Sequence, residues 1–200
     1  MVYFQFYGPR IGAIYHKKGS FSTPPLFFGG GQEYNRRSGT ENTPMVIGLG
    51  EAAHLVTKYA NLATEDLKSK SDKLTNLLKE KCGPSAIQVN FESSPKLPNT
   101  LSISFLEVPS SEMLEKCCDL IEFSKSAACH SGSGTSNVLI KSGISREIAN
   151  CTVRISVGRY TTLDEIEKAA EILSNAYNEL KRWKISKYTK RFYLSATKII

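Results

Sequence analysis

The sequence predicts a mixed α/β chain in which a helical segment leads into a compact α+β unit. Three observations carry that prediction. Apolar residues recur at three- and four-residue spacing from Pro44 to about Lys81, with Val46, Leu49, Ala53, Val56, Leu67, Leu74, Leu77 and Leu78 on the stripe. They alternate at every second position in 87–91, 101–105 and 151–157, the period of strands with one buried face. From Thr162 to Leu180 the helical spacing returns, placing Ile166, Ala169, Ala170, Leu173, Ala176, Tyr177 and Leu180 on one face.

In chain order, Gly8-Pro9 marks a turn and Ile11–Tyr15 reads as a short buried strand, closed by the polar turn His16-Lys17-Lys18-Gly19. Leu26-Phe27-Phe28 then runs into three glycines, which ask for sharply bent backbone or a close approach to a ligand. Thr43 is placed to cap the next helix, with Pro44 at its first position. Asn61 to Asp66 interrupts the stripe, so the span reads as two helical segments or one bent helix, stopped by Gly83-Pro84. After strands 87–91 and 101–105, a short helix from Ser110 to Cys118 or Leu120 is capped by Ser110 or Ser111. Residues 121–125 offer a third strand, 145–150 a helix and 151–157 a further strand. Thr162 and Glu165 have capping-box spacing at the start of the last helix.

Charge is unevenly placed. The formal net charge is +7, yet seven of the 26 basic residues lie in 181–200, where there is no Asp or Glu; residues 1–180 hold 19 basic against 19 acidic groups. Nucleic-acid binding would therefore rest on that tail alone, which reads as frayed for want of acidic partners in it, or else as a basic amphipathic continuation of the last helix that touches acidic surfaces. No apolar run reaches the roughly 18 residues of a membrane span, and the first residues lack the pattern of a signal peptide, so the expected location is the cytoplasm. The five cysteines form no C-x-x-C pair and the three histidines are scattered, so no zinc-ligand spacing appears and reduced thiols are expected.

Three places carry candidate chemistry. Cys129 lies in Ser126-Ala127-Ala128-Cys129-His130-Ser131-Gly132-Ser133-Gly134-Thr135, a run with little side-chain bulk; this is either a loop presenting a reactive thiol or a plain connection. Arg36 to Pro44 offers guanidinium groups, hydroxyls and free amides suited to a phosphate, or forms a solvated turn. Arg154 stands opposite Val153 and Ile155 in its strand, as a solvent-facing residue or an anion clamp. Gly48-Leu49-Gly50 follows no strand, so a dinucleotide-binding reading fails its context.

The stretches FYGPRIGAIY, GGGQEYNRRSGTENTP, LPNTLSISF, SAACHS and TVRISVGR occur in this order. Together they resemble the selenocysteine lyase and cysteine desulfurase (NifS-like) family, pyridoxal-phosphate enzymes of the class V aminotransferase fold, over about residues 6–180. The Ala-Ala-Cys-His form around Cys129 and the Gly-Thr-Glu-Asn after Ser38 are more similar to selenocysteine lyases than to housekeeping cysteine desulfurases. The resemblance implies the end of a cofactor-binding large domain in 1–43, linking helix or helices in 44–83, a small α+β domain in 84–180 and a basic tail in 181–200. It also implies that Cys129 acts at the sulfur or selenium atom of the substrate. Arg154 would clamp the substrate α-carboxylate, and Thr40 would reach the cofactor phosphate of a neighbouring subunit in a homodimer. The implied reaction converts L-selenocysteine to L-alanine and reduced selenium, with a selenium acceptor protein as a further partner.

One departure bears on activity. The family places a histidine and the Schiff-base lysine directly before the Phe-Tyr-Gly-Pro stretch, where this sequence has Phe4 and Gln5. An amide is neither nucleophilic nor basic. Lys17 and Lys18 lie beyond the following strand and are expected to face solvent. The expectation is thus a C-terminal part of such an enzyme, from an incomplete gene model or an alternative product, inactive by itself. The alternatives are a cysteine desulfurase fragment and a non-catalytic dimerisation module.

Overall fold

A computed structural model describes residues 11–15, 17, 19, 24–125 and 136–196, with the side chains of 60–63 and 187–196 left aside. By backbone proximity the chain divides into two units, Met1–Asn61 and Leu62–Ile200.

The second unit is built on a three-stranded antiparallel sheet in the order β1-β2-β3, with β1 Ile87–Val89, β2 Thr100–Phe105 and β3 Thr152–Ser156. The register pairs Ile87 with Phe105, Ile103 with Val153 and Leu101 with Ile155. Because side chains alternate across a strand, these six residues share one face. That face is buried with Leu74 and Leu78 of α2 (Thr43–Cys82), Met113 and Cys117 of α3 (Ser110–Cys117), and Ile166, Ala170, Leu173 and Tyr177 of α6 (Leu163–Ala196). Ile103, Phe105, Leu78, Val153, Leu173 and Tyr177 are fully excluded from solvent. Each such side chain contributes about 1.5–3 kcal/mol by transfer from water. The rings of Phe105 and Tyr177 lie 5.8 Å apart in a tilted arrangement, and the Tyr177 hydroxyl donates to the Leu106 carbonyl at 3.3 Å.

Local signals set the ends of these elements. Thr162 and Glu165 make the reciprocal capping box: the Thr162 amide donates to the Glu165 carboxylate at 2.7 Å, and the Glu165 amide donates to the Thr162 hydroxyl at 3.2 Å. Ser145 caps α5 (Arg146–Asn150) by accepting from the Ile148 amide. Gly83 ends α2 with φ +97°, a left-handed conformation that glycine adopts without a Cβ penalty.

Several expectations are corrected. Ile11–Tyr15 is not a buried strand: only Ala13 takes part in an isolated bridge, while Ile14 and Tyr15 are 78% and 81% exposed. A short apolar run becomes a strand only when a ladder partner and a facing layer bury it. Of the two readings of 44–83 the single helix holds, since α2 is one element from Thr43 to Cys82; one polar turn is tolerated when the residues on either side favour helix. Its first helical bond ends on the Asn42 carbonyl, so Asn42 rather than Thr43 holds the cap position. Pro109 takes the cap position of α3 without a side-chain bond, and the Ser110 hydroxyl donates instead to the Asn150 carbonyl at 2.9 Å. Residues 121–125 provide one bridge, Ser124 to Arg154, rather than a strand. The first strand stops at Val89 because Phe91 turns to φ +56°. A short α4, Asn137–Lys141, was not expected. The basic tail is helical rather than frayed, α6 running on to Ala196. Acidic partners come from elsewhere in the second unit: Lys181 pairs with Glu107 and Lys184 with Glu112.

In the first unit, α1 (Gln32–Asn35) is a tight left-handed turn, with φ of +51°, +57° and +61° at Glu33, Tyr34 and Asn35.

Candidate functional site

The sheet face away from the core is polar throughout. The same register that pairs the apolar residues sets Gln88 opposite Ser104, Ser104 opposite Thr152 and Ser102 opposite Arg154. Asn90 sits at its centre, 3% exposed, and its side-chain amide donates to Ser104 Oγ at 2.9 Å, with longer contacts to Ser102 Oγ and Thr152 Oγ1. Ser104 and Thr152 hydroxyls are 2.8 Å apart, and Thr152 donates onward to the Ile148 carbonyl of α5 at 2.8 Å. The Asn90 carbonyl accepts from Gln88 at 3.0 Å. A buried network with its members satisfied holds one geometry, because any slip leaves a desolvated polar group unpaired.

Arg154 stands at the edge of this network with its side chain exposed. Its backbone makes two bonds to Ser124: the Arg154 amide donates to the Ser124 carbonyl at 2.6 Å and the Ser124 amide donates back at 3.1 Å. The segment that leads toward residue 126 is thereby pinned beside the guanidinium-bearing residue. Among the described residues no acidic side chain forms an ion pair with Arg154. The far end of β3 is held as firmly. The Val157 amide donates to the Asn99 carbonyl at 2.9 Å and the Asn99 side-chain amide returns a bond to the Val157 carbonyl at 3.2 Å. Ser71 of α2 donates to the Pro98 carbonyl at 2.7 Å, while Lys70 bonds both Asp66 and the Arg159 carbonyl.

Thr40 belongs to the first unit and is exposed. The Arg37 guanidinium donates to the Gly39 and Thr40 carbonyls at 3.2 and 3.3 Å, and the Ser38 hydroxyl donates to the Phe27 carbonyl at 3.2 Å. Gly39 has φ +92°, so the Ser-Gly-Thr turn needs glycine at its centre. Thr40 and Arg154 thus fall in separate units. Cys129, Phe4, Gln5 and Lys18 lie outside the described residues; Lys17 is exposed.

Cys82, Cys117 and Cys151 fit packing roles, whereas Cys118 is exposed. Burial pushes Cys82 up to about 11, and burial is also the main cause that raises Cys117 and Cys151. A raised thiol pKa means little thiolate at neutral pH, hence little nucleophilicity. Among the described residues no group of three or more His, Cys, Asp or Glu side chains could hold a metal ion, and no helix is long and apolar enough to cross a membrane.

Asn90, Ser102, Ser104, Asn99 and Lys70 went unassigned in the sequence. The signal for the serines was present in the alternation of Leu101-Ser102-Ile103-Ser104-Phe105, whose polar positions define the second face. The partners of Asn90 and Lys70 are set by long-range pairing, which leaves no local pattern.

A family model, aminotransferase class-V, matches residues 5–169. The chain belongs to the aminotransferase class-V family. It is 40% identical to the human selenocysteine lyase over 184 residues, 88% of this chain and 41% of that protein. It is 40% identical to the Xenopus laevis selenocysteine lyase over 180 residues, 86% and 42% of the two chains. A cysteine desulfurase IscS of Rickettsia bellii is 32% identical over 177 residues, 88% of this chain and 43% of that one. Among solved structures, a NifS-like protein matches with a TM-score of 0.66 at 27% identity, covering 82% of this chain and 40% of its own. The chain thus spans about two-fifths of the length of these relatives. The class V aminotransferase fold expected from the motifs is the fold of these neighbours, whose family uses pyridoxal phosphate.

The described residues fit that cofactor only in part. An exposed Thr40 hydroxyl beside Arg37 suits a phosphate, and Arg154 suits a carboxylate. The position that the motifs give to the covalent lysine holds Gln5, whose amide forms no such link.

Proposed function

We propose that this chain carries the substrate-reading part of a selenocysteine lyase-like protein. The observation that carries the reading is Arg154: exposed, held in register by a buried hydroxyl and amide network, and bonded through its backbone to Ser124 at the root of the Cys129 loop. A guanidinium fork reads a carboxylate with two parallel bonds, which orients an amino acid as well as binding it. Cys129 lies five residues past Ser124, within about 17 Å of extended chain. That tether brings its thiol within reach of a substrate held at Arg154, where it acts at the selenium or sulfur atom.

Thr40 donates its hydroxyl to a cofactor phosphate of a neighbouring subunit, which makes the working unit a homodimer and gives an acceptor protein the role of taking up selenium. Residues 1–43 end the large domain, 44–83 link, and 84–180 form the small domain. Pyridoxal phosphate, when bound in an assembly that supplies the lysine, withdraws electrons from the substrate's α-carbon. With Gln5 in place this chain alone does not turn over.

The test pairs two preparations. The 200-residue chain with pyridoxal phosphate and L-selenocysteine is expected to release no alanine and to give no borohydride-reducible lysine adduct. A chimera in which a selenocysteine lyase relative supplies its remaining length, with Gln5→Lys, is expected to release alanine and to lose at least a hundredfold in kcat/KM on Arg154→Ala. An Arg154→Ala chimera with unchanged kinetics would remove the carboxylate role. A cysteine desulfurase is the second reading, favoured by the 32% identity to the Rickettsia enzyme. Turnover of cysteine at or above that of selenocysteine in the same chimera would choose it.

A further inference from the structure

The last helix changes character where it leaves the sheet. Along α6 the core-facing positions run at helical spacing through Ile166, Ala170, Leu173 and Tyr177, all buried. The same spacing continues through Leu180 to Lys184, Lys187 and Arg191, so beyond Leu180 this row turns from apolar to basic. A second apolar row begins there on another face. Ile185, Tyr188, Phe192, Tyr193 and Ala196 stand at i, i+3, i+7, i+8 and i+11, roughly 100° round the helix from the first row. Ile185, at its start, is 58% exposed, so the row opens into solvent rather than onto the sheet. Of the apolar residues in 185–196, Leu194 alone falls on the basic side.

The base of this extension is fixed to the second unit. Lys181 pairs with Glu107 at 3.2 Å, and Lys184 donates to the Glu107 carbonyl at 3.0 Å beside Glu112. Residues 185–200 then carry four basic groups and no acidic one, so nothing in the extension itself neutralises them. A helix with a basic face opposite an apolar row, and with Tyr188 and Tyr193 at the row's margins, fits a layer that is anionic at its surface and apolar beneath. Two other occupants fit less well. Two copies joined along the apolar row would bring basic groups together with no carboxylate in the extension to pair them. A nucleic acid would take the basic face and leave the apolar row in water.

We infer that residues 181–196 of α6 are a peripheral docking surface for an anionic lipid bilayer. The row from Ile185 to Ala196 enters the boundary between headgroups and acyl chains, and Lys187, Lys190 and Arg191 take the lipid phosphates and carboxylates. Among the described residues no helix is long and apolar enough to cross a membrane, so the extension lies along the surface. The family model ends at residue 169, ahead of this stretch, and the docking does not depend on substrate turnover.

The test is co-flotation of the 200-residue chain with lipid vesicles. Vesicles of phosphatidylcholine with about one-third phosphatidylserine should bind it at least tenfold more tightly than vesicles of phosphatidylcholine alone, and about 0.5 M NaCl should weaken that binding by a similar factor. Phe192→Asp, on the apolar row, and Lys187→Glu/Arg191→Glu, on the basic face, should each weaken it at least tenfold. Lys141→Glu/Lys168→Glu, an equal change of net charge at exposed positions elsewhere in the second unit, should leave it unchanged. No binding, equal binding to both kinds of vesicle, or indifference to Phe192→Asp overturns the inference. So does binding to a mixed-sequence RNA that is tighter than to the vesicles and survives Phe192→Asp, which would identify a nucleic acid as the partner. A homodimer that Phe192→Asp dissociates, seen by light scattering, would identify a second copy and overturn it as well. Circular dichroism of each variant alone, expected to match the unsubstituted chain, separates loss of docking from loss of fold.

Discussion

The two units treat the same kind of residue in opposite ways. In the second, Ile87, Leu101, Ile103, Phe105, Val153 and Ile155 have partners across the ladder and share one buried cluster with residues of α2, α3 and α6, so Ile103, Phe105 and Val153 see no solvent. In the first, Ile14, Tyr15 and Phe28 are as apolar and lie mostly in water. Hydrophobic character is a property of the residue, but burial needs a second layer. Among the described residues that layer is present only beyond residue 62.

The sharpest way to break this contrast is to cut matched side chains from both units. Phe105→Ala should cost about 3–5 kcal/mol, since it removes a fully packed ring and leaves a cavity. Phe28→Ala should change stability by no more than about 0.5 kcal/mol, as at other exposed sites. Urea denaturation of the two variants checks both, and equal losses would mean that Phe28 has a core of its own.

A smaller effect is expected from the polar face. Asn90→Leu leaves the buried Ser104 and Thr152 hydroxyls one partner short and should cost about 1–3 kcal/mol. In the lysine-restored chimera it should also raise KM more than it lowers kcat, because it loosens the strand that carries Arg154. A KM that stays fixed would separate the network from the site. Thr162→Ala removes half of the capping box and should cost about 1 kcal/mol by the same denaturation measurement.

The pH dependence is expected to be slight and to come from both ends of the scale. Hydrogen bonds from Thr162 lower Glu165, the Lys73 ammonium lowers Glu167, and the Lys116 ammonium lowers Glu179. Carboxyls depressed on folding contribute stability that is present above their ordinary value, near 4.5, and lost as pH falls through the folded one. All three are solvated, so the loss is screened and small. Cys82 works in the other direction: its thiol rises from about 9 to about 11, so its contribution is complete below 9 and fades as pH climbs toward 11. Thermal melts should therefore be flat from pH 6 to 8. Alkylation of Cys82 at pH 8 should be slower than that of a free thiol in the denatured chain.

Legibility followed the range of the interaction. Thr162 and Glu165 announced the start of α6 because a capping box is complete within four residues. The alternation in 101–105 announced both faces of β2 because the pleat has a fixed period. A short apolar run misled at Ile11–Tyr15, which no layer among the described residues buries. Between a frayed tail and a continuation of the last helix the sequence leaned to the first, because the partners of Lys181 and Lys184, Glu107 and Glu112, lie far away in sequence. At the candidate site, Arg154 was visible as a charge among apolar neighbours, whereas Asn90 and Ser124 acquire their roles only through bonds across 62 and 30 residues of sequence.

By itself the sequence determined the periodicities, the caps, the neutral body with its basic end, and the five ordered motifs of the aminotransferase class-V family. These depend on backbone geometry and residue chemistry over a few positions. The tertiary structure alone decided which apolar runs are covered, which hydroxyls close into a buried network beneath Arg154, and which segment is pinned beside it. Those outcomes depend on which distant parts of the chain pack together.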